Sequence, residues 1–133
     1  MAELVFKDLI KKEGLSDNFY VESAATSTEE LGNPVYPPAR RELLRHGISS
    51  DGKYARQITL SDYESFDLII GMDSANIRNM HRLFGADPDA KIKKLLDYTG
   101  RGGDVADPWY TGDFGATWSD VLDGCTALLK TLK

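Results

Sequence analysis

The run Phe66-Asp67-Leu68-Ile69-Ile70-Gly71-Met72-Asp73 limits the possible folds more than any other stretch of the chain. Its apolar centre is nearly unbroken. A strand of that kind is covered on both faces, as in a parallel sheet lying between helices. Asp73 or Ser74 then stands where a helix N-cap is needed, and the next turns bring Ile77, Met80 and Phe84 inward, so a helix is expected through Phe84. A strand that runs directly into a helix points to an α/β chain.

The flanking segments fit that class. Met1 to Lys12 has Leu4, Val5, Leu9 and Ile10 on one helical face with Phe6 beside it, and Gly14 as a stop. No residue precedes this helix to cap it. Phe19 to Thr26 carries the aromatic and β-branched residues of a strand, and Ser27 to Pro38, with Gly32-Asn33-Pro34 and Pro37-Pro38, reads as a loop. From Pro38 a short helix to His46 turns Leu43 and Leu44 inward and ends at Gly47. Tyr54 to Leu60 is an irregular connector, and Ser61-Asp62-Tyr63-Glu64 resembles a capped turn. Ile92 to Tyr98 supplies a third strand. Thr117 is placed to cap a final helix, with the stripe Trp118, Val121, Leu122, Cys125, Leu128, Leu129 and Leu132. The expected architecture is a single domain over residues 1–133, a three-layer α/β sandwich with a small parallel sheet.

Composition excludes several classes of function. The net charge of −5, without a continuous Lys/Arg stripe, argues against a nucleic-acid surface. No apolar run is long enough for a membrane helix and no signal pattern opens the chain, so no membrane partner is expected and the compartment is read as cytoplasmic. A single cysteine rules out an internal disulfide and a cysteine-rich metal site. His46 and His81 lack ligand spacing, and neither a metal nor another cofactor is expected. Cys125 lies inside the last helical stripe and is read as a core thiol.

Ala106-Asp107-Pro108-Trp109-Tyr110-Thr111-Gly112-Asp113 is the stretch with the most chemistry. Pro108 disfavours helix at Asp107 and gives its carboxylate a defined direction, with two large aromatics next to it. Local sequence leaves two readings open: an aimed acid beside an aromatic wall, or an Asp-Pro turn whose rings cover the core.

Several segments in order resemble the low-molecular-weight protein tyrosine phosphatases. They are Met1-Ala2-Glu3 with Val5-Phe6, then Glu22-Ser23-Ala24-Ala25-Thr26-Ser27 with Gly32-Asn33-Pro34, then Arg45-His46-Gly47-Ile48. Ala55-Arg56-Gln57-Ile58-Thr59, Asp67-Leu68-Ile69 to Met72-Asp73 with Asn76, and Asp107-Pro108-Trp109-Tyr110 complete the set. The resemblance implies a four-stranded parallel sheet and hydrolysis of phosphotyrosine, in proteins or aryl phosphates, through a cysteinyl-phosphate intermediate. It makes Asp107 the general acid, sets Trp109 and Tyr110 beside the substrate ring, and places the loop containing Glu29 and Asn33 across the cleft.

The same comparison identifies departures. The family's first, central strand and its Cys-x5-Arg phosphate-binding loop have no counterpart in these residues, so the chain reads as an N-terminally truncated, inactive form. The alternative is a non-catalytic remnant acting as a binding protein. Without that strand, two sheet edges are exposed, and low stability, direct re-pairing of the remaining strands, or a homodimer by strand swap is expected. Glu29 stands where relatives often carry an aromatic, and Lys53 is near the place of a histidine that supports the phosphate loop. Arsenate reductase chemistry, which needs further redox cysteines, is excluded by the single Cys125.

Overall fold

The computed structural model of the protein describes residues 1–26, 32–106 and 112–133. Its elements are α1 (Ala2–Lys12), α2 (Pro37–Arg45), α3 (Leu60–Ser65), β1 (Ile69–Gly71), α4 (Ser74–Phe84), β2 (Ile92–Lys94) and α5 (Phe114–Leu132), with 3₁₀ turns at Ser16–Asn18 and Leu95–Thr99. β1 and β2 pair in parallel, Ile69 opposite Ile92 and Gly71 opposite Lys94.

β1 divides the core as its apolar run requires. Ile69 packs with Met80 and Ile92, beside Ile77 and Phe84 of α4. Leu68, Ile70 and Met72 pack on the opposite cluster, where Val5, Phe6 and Ile10 of α1 meet Val121, Cys125 and Leu128 of α5. The alternation of a strand thus assigns successive residues to two helical layers. Burying such side chains is worth roughly 1.5–3 kcal/mol each, which is why these contacts outrank the short hydrogen-bond ladder as a source of stability.

Local signals account for the helix ends. Asp73 accepts from the Asn76 backbone N–H at 2.8 Å, while Asn76 returns its side-chain oxygen to the Asp73 N–H, so α4 opens with a reciprocal cap. Thr59 and Asp62 form the equivalent box at α3, two residues ahead of the turn expected at Ser61. α1 begins at Met1 without a side-chain cap.

Four expectations are corrected. Phe19 to Thr26 is not a strand: only Ala25 makes a bridge, to Gln57, because the rest of the segment has no neighbouring backbone among the described residues. It does not re-pair with β1 either, whose one partner in the sheet is β2. The strand expected over Ile92 to Tyr98 stops at Lys94. Leu95 and Leu96 are both 1% exposed in the cluster of α1 and α5, and a strand would send one of them to the opposite layer, so the chain winds into a 3₁₀ turn that places both in that cluster. In α2, Leu43 is fully buried but Leu44 is exposed, and Glu42 takes the inward place. α5 starts at Phe114 because Asp113 caps it, accepting from Ala116 N–H at 2.9 Å; Thr117 lies within the first turn. Its stripe is otherwise as expected, except that Leu132 is exposed.

α5 approaches the Leu95–Thr99 turn so closely that a Cβ on Gly124 would fall 2.4 Å from Leu95 Cγ. Gly124→Val is therefore expected to destabilise the fold by about 3 kcal/mol through overpacking, read as a lower urea midpoint at unchanged m-value.

Candidate functional site

A cleft of about 850 Å³ separates the Phe19–Ala25 segment from β1. Phe6 of α1 and Val121, Cys125 and Leu128 of α5 form its floor, and Met80 and Asn76 of α4 contribute from the other layer. Both walls are pinned. Phe19 packs edge-on against Phe6 with ring centroids 5.8 Å apart, and Tyr20 stacks on Phe66, just before β1, at 5.8 Å. At the far end Ala25 N–H donates to Arg56 C=O at 2.7 Å, and Asn79 of α4 donates to Thr26 Oγ1 at 3.3 Å.

Two charged groups brace the cleft. Glu3, its side chain 4% exposed, receives Lys53 Nζ at 2.5 Å and Lys7 Nζ at 2.9 Å. Burial pushes its pKa upward, but bonds from Lys53, Lys7 and Ser23 outweigh this and bring it down to about 2. Lys53, at the position where the family resemblance placed a histidine, is thus a counter-ion for an acid on the first turn of α1. Arg56 holds Asp62 through both carboxylate oxygens, at 3.0 and 3.2 Å, which lowers the Asp62 pKa and raises its own. This arginine of the cleft wall is committed to a carboxylate and is not poised for an anion.

The chain on either side of the aromatic loop is anchored to the start of α5. Ala106 N–H donates to Asp120 Oδ2 at 3.0 Å, and Thr117 Oγ1 donates to Ala106 C=O at 2.8 Å. Arg101 in turn holds Asp120 at 2.8 Å. Ala106 lines the cleft. Asp107, Trp109, Tyr110 and Glu29 lie outside the described residues. Asn33 is exposed, its C=O accepting from Ala55 N–H at 2.8 Å.

Sequence reasoning missed the buried role of Glu3 and the loop-anchoring role of Asp120. A signal existed for each: Glu3 and Lys7 are four apart on a helix, and Asp120 follows Thr117 at capping distance but reaches back to Ala106 instead. His46 stacks flat on Trp118 at 3.7 Å and approaches Glu42 at 3.2 Å, away from the cleft. Among the described residues no three His, Cys, Asp or Glu side chains cluster as metal ligands, and no helix is long and apolar enough to cross a membrane.

Cys125 is 1% exposed, and its Sγ–H points to Ala2 C=O at 3.7 Å. Burial pushes its thiol up to about 12, with the Met1 ammonium opposing only in part. A thiol so placed carries almost no thiolate at neutral pH and is no nucleophile.

Fold and cleft together define a small three-layer α/β domain whose ligand-sized opening lies against its parallel sheet. The chain belongs to the low molecular weight phosphotyrosine protein phosphatase family, whose model matches residues 1–133. It is similar to the low molecular weight protein-tyrosine-phosphatase YfkJ of Bacillus subtilis, with 38% identity over 135 residues, covering 100% of this chain and 86% of that protein. The crystal structure of YfkJ superposes with a TM-score of 0.95 over 98% of this chain and 84% of that one. That of SP-PTP from Streptococcus pyogenes, 39% identical, gives 0.88 over 99% and 83%.

Two outcomes follow from this electrostatic layout. Glu3 has a depressed folded-state pKa, so its contribution to stability is complete above its ordinary value near 4.5 and is lost as pH falls toward about 2. Urea unfolding at pH 6, 4 and 2.5 is expected to show that loss, and Glu3→Gln to flatten it. Cys125 is expected to resist iodoacetamide in the native protein at pH 8 and to react fully in 8 M urea (~8 M as a routine denaturing concentration).

Proposed function

We propose that the chain carries the general-acid half of a phosphotyrosine phosphatase site. The observation that carries this reading is the anchoring of Ala106 by Asp120 and Thr117 at the cleft lining, one residue before Asp107, in a chain of this family. In this reading the Asp107 carboxyl gives its proton to the departing phenolate oxygen as the P–O bond breaks, a task worth about 10²–10⁴ in rate. Trp109 and Tyr110 flank the phenyl ring, and Glu29 and Asn33 belong to the opposite rim.

The family's reaction also needs a thiolate to attack phosphorus and an arginine to hold its oxygens. Cys125 is the one cysteine of the 133 residues, and Thr131 stands six places after it where the Cys-x5-Arg pattern requires arginine. We infer that these residues by themselves lack a nucleophile and do not turn over substrate. A second reading, a non-catalytic protein that binds through the cleft, is favoured by one observation: the walls stand apart and are pinned at both ends.

Assay with aryl phosphates tests both. The 133-residue chain is expected to show no turnover. A form extended before Met1 by a strand and a Cys-x5-Arg loop is expected to hydrolyse them, with Asp107→Asn lowering kcat about 10²–10⁴-fold, most for phenols of high pKa. Turnover by the 133-residue chain, abolished by Asp107→Asn, would overturn the inference of inactivity; an extended form indifferent to Asp107→Asn would overturn the assignment of the acid.

A further inference from the structure

We propose that Asp51–Gly52 is a covalent modification site: its peptide link rearranges to an isoaspartyl link in the folded protein, and the altered turn releases Lys53 from the buried Glu3. The proposal concerns the backbone of one turn and stands apart from the catalytic reading above.

The chain has two Asp-Gly links, Asp51–Gly52 and Asp123–Gly124. In both, the residue after the acid has no Cβ to hinder attack by its nitrogen on the acid's carboxyl carbon. The two side chains are also alike. Asp51 is 81% exposed and lies 3.5 Å from Arg40; Asp123 is 62% exposed and lies 3.5 Å from Arg101. Exposed pairs of this kind hold a carboxylate only weakly. The backbone is what separates the two sites. Asp51 and Gly52 form the tip of a turn closed by Lys53 N–H, which donates to Ser50 C=O at 3.1 Å, with Gly52 at φ 78°. Gly52 N–H has no hydrogen-bond partner among the described residues, and a Cβ on Gly52 would meet nothing within 4 Å. The 51–52 link can therefore rotate at the cost of one turn bond. Gly124 lies inside α5, where its N–H is committed to the helical ladder, and a Cβ there would fall 2.4 Å from Leu95 Cγ. Rotation at that link would break the ladder and force α5 away from the Leu95–Thr99 turn.

The reaction needs no co-reactant beyond water. Gly52 N attacks Asp51 Cγ in the protonated carboxyl, and the N–H proton and the carboxyl hydroxyl leave as water, which closes a cyclic succinimide. Water then adds to one of the two ring carbonyls. Addition at the main-chain carbonyl breaks its bond to Gly52 N, so the nitrogen stays on Cγ and the former main-chain carbonyl becomes a free carboxylate. One water is lost and one regained, and nothing is oxidised or reduced. A cavity of about 110 Å³ lined by Arg40, Asp51, Gly52 and Lys53 opens beside the turn and has room for that water. The product carries one extra methylene in the main chain at the tip, where the Ser50–Lys53 bond must span it. Lys53 is the next residue, and its Nζ holds Glu3 at 2.5 Å, the pairing that makes burial of this acid tolerable. A change confined to an exposed turn thus reaches the first turn of α1.

The test keeps the purified 133-residue chain at neutral pH and physiological temperature for several weeks. Its peptides are then mapped by electron-transfer fragmentation, which distinguishes isoaspartyl from aspartyl links of equal mass. Isoaspartate is expected at residue 51 in at least tenfold excess over residue 123, and the product is expected to accept methyl groups from S-adenosylmethionine in the presence of an isoaspartyl carboxyl methyltransferase. In chain unfolded with guanidinium chloride both links are expected to rearrange at similar rates, because only the fold tells them apart. Asp51→Glu, whose ring would be one atom larger, is expected to abolish the product at that position. The modified fraction, separated by ion exchange, is expected to show a lower urea midpoint at neutral pH. That difference should narrow as pH falls toward about 2, where Glu3 loses its charge in the unmodified protein as well. No isoaspartate at residue 51, or equal amounts at 51 and 123 in the folded chain, would overturn the modification site. A modified fraction with an unchanged midpoint, or with a loss that does not narrow in acid, would overturn the release of Lys53.

Discussion

Everything in this molecule is arranged around the burial of β1 between two helical layers. Ile69 must face α4, and Leu68, Ile70 and Met72 must face α1 and α5, because a strand alternates its side chains and both sets are apolar. That demand places α4 and α5 on opposite faces of the sheet. It also directs one edge of β1 toward the Phe19–Ala25 segment, with β2 on the other edge. The cleft lies between the two layers, and the Tyr20–Phe66 stack and the Asn79–Thr26 bond span it at its ends.

Charge then secures what packing positions. Glu3 belongs to a helix whose other inward residues are apolar, and its burial is tolerable because Lys53 and Lys7 both reach it. The Arg56–Asp62 pair joins the connector before α3 to the cap of α3 itself, since Asp62 also accepts from Thr59 N–H at 2.7 Å. Asp120 does similar work at the other end, tying Arg101 and Ala106 to the first turns of α5. None of these carboxylates is free for acid–base chemistry. These braced acids shape the cleft.

Membership of the low molecular weight phosphotyrosine protein phosphatases was legible from ordered short motifs. The fold class was legible from β1 alone and the cap of α4 from Asp73, whereas α3 is capped by Thr59, two residues before the turn read at Ser61. Less was legible where two demands compete. Leu95-Leu96 carries strand-like composition, yet both leucines pack in the cluster of α1 and α5, with Leu95 close against Gly124, where a strand would divide them between layers. Phe19 to Thr26 has the composition of a strand but, among the described residues, makes only the Ala25–Gln57 bridge. Of the candidate site, Asn33 is exposed, and the braces at Glu3 and Asp120 were not foreseen because each depends on a partner 14 or more residues away, Lys53 and Ala106.

The sequence by itself determined the α/β class, the positions of α1, α4 and α5, the inertness expected of a cysteine set in a helical apolar stripe, and the family. Those properties rest on periodicity and on local order, which a linear chain displays. Only the tertiary structure decided that the Phe19–Ala25 segment and β1 stand apart around an open slot, that Glu3 is buried and paired with Lys53, and that Asp120 anchors the residue before Asp107. The physical reason is common to all three. Pairing of backbone edges and of buried charges is settled between segments distant in the chain, where each group accepts whichever partner the packing of the helices brings within reach.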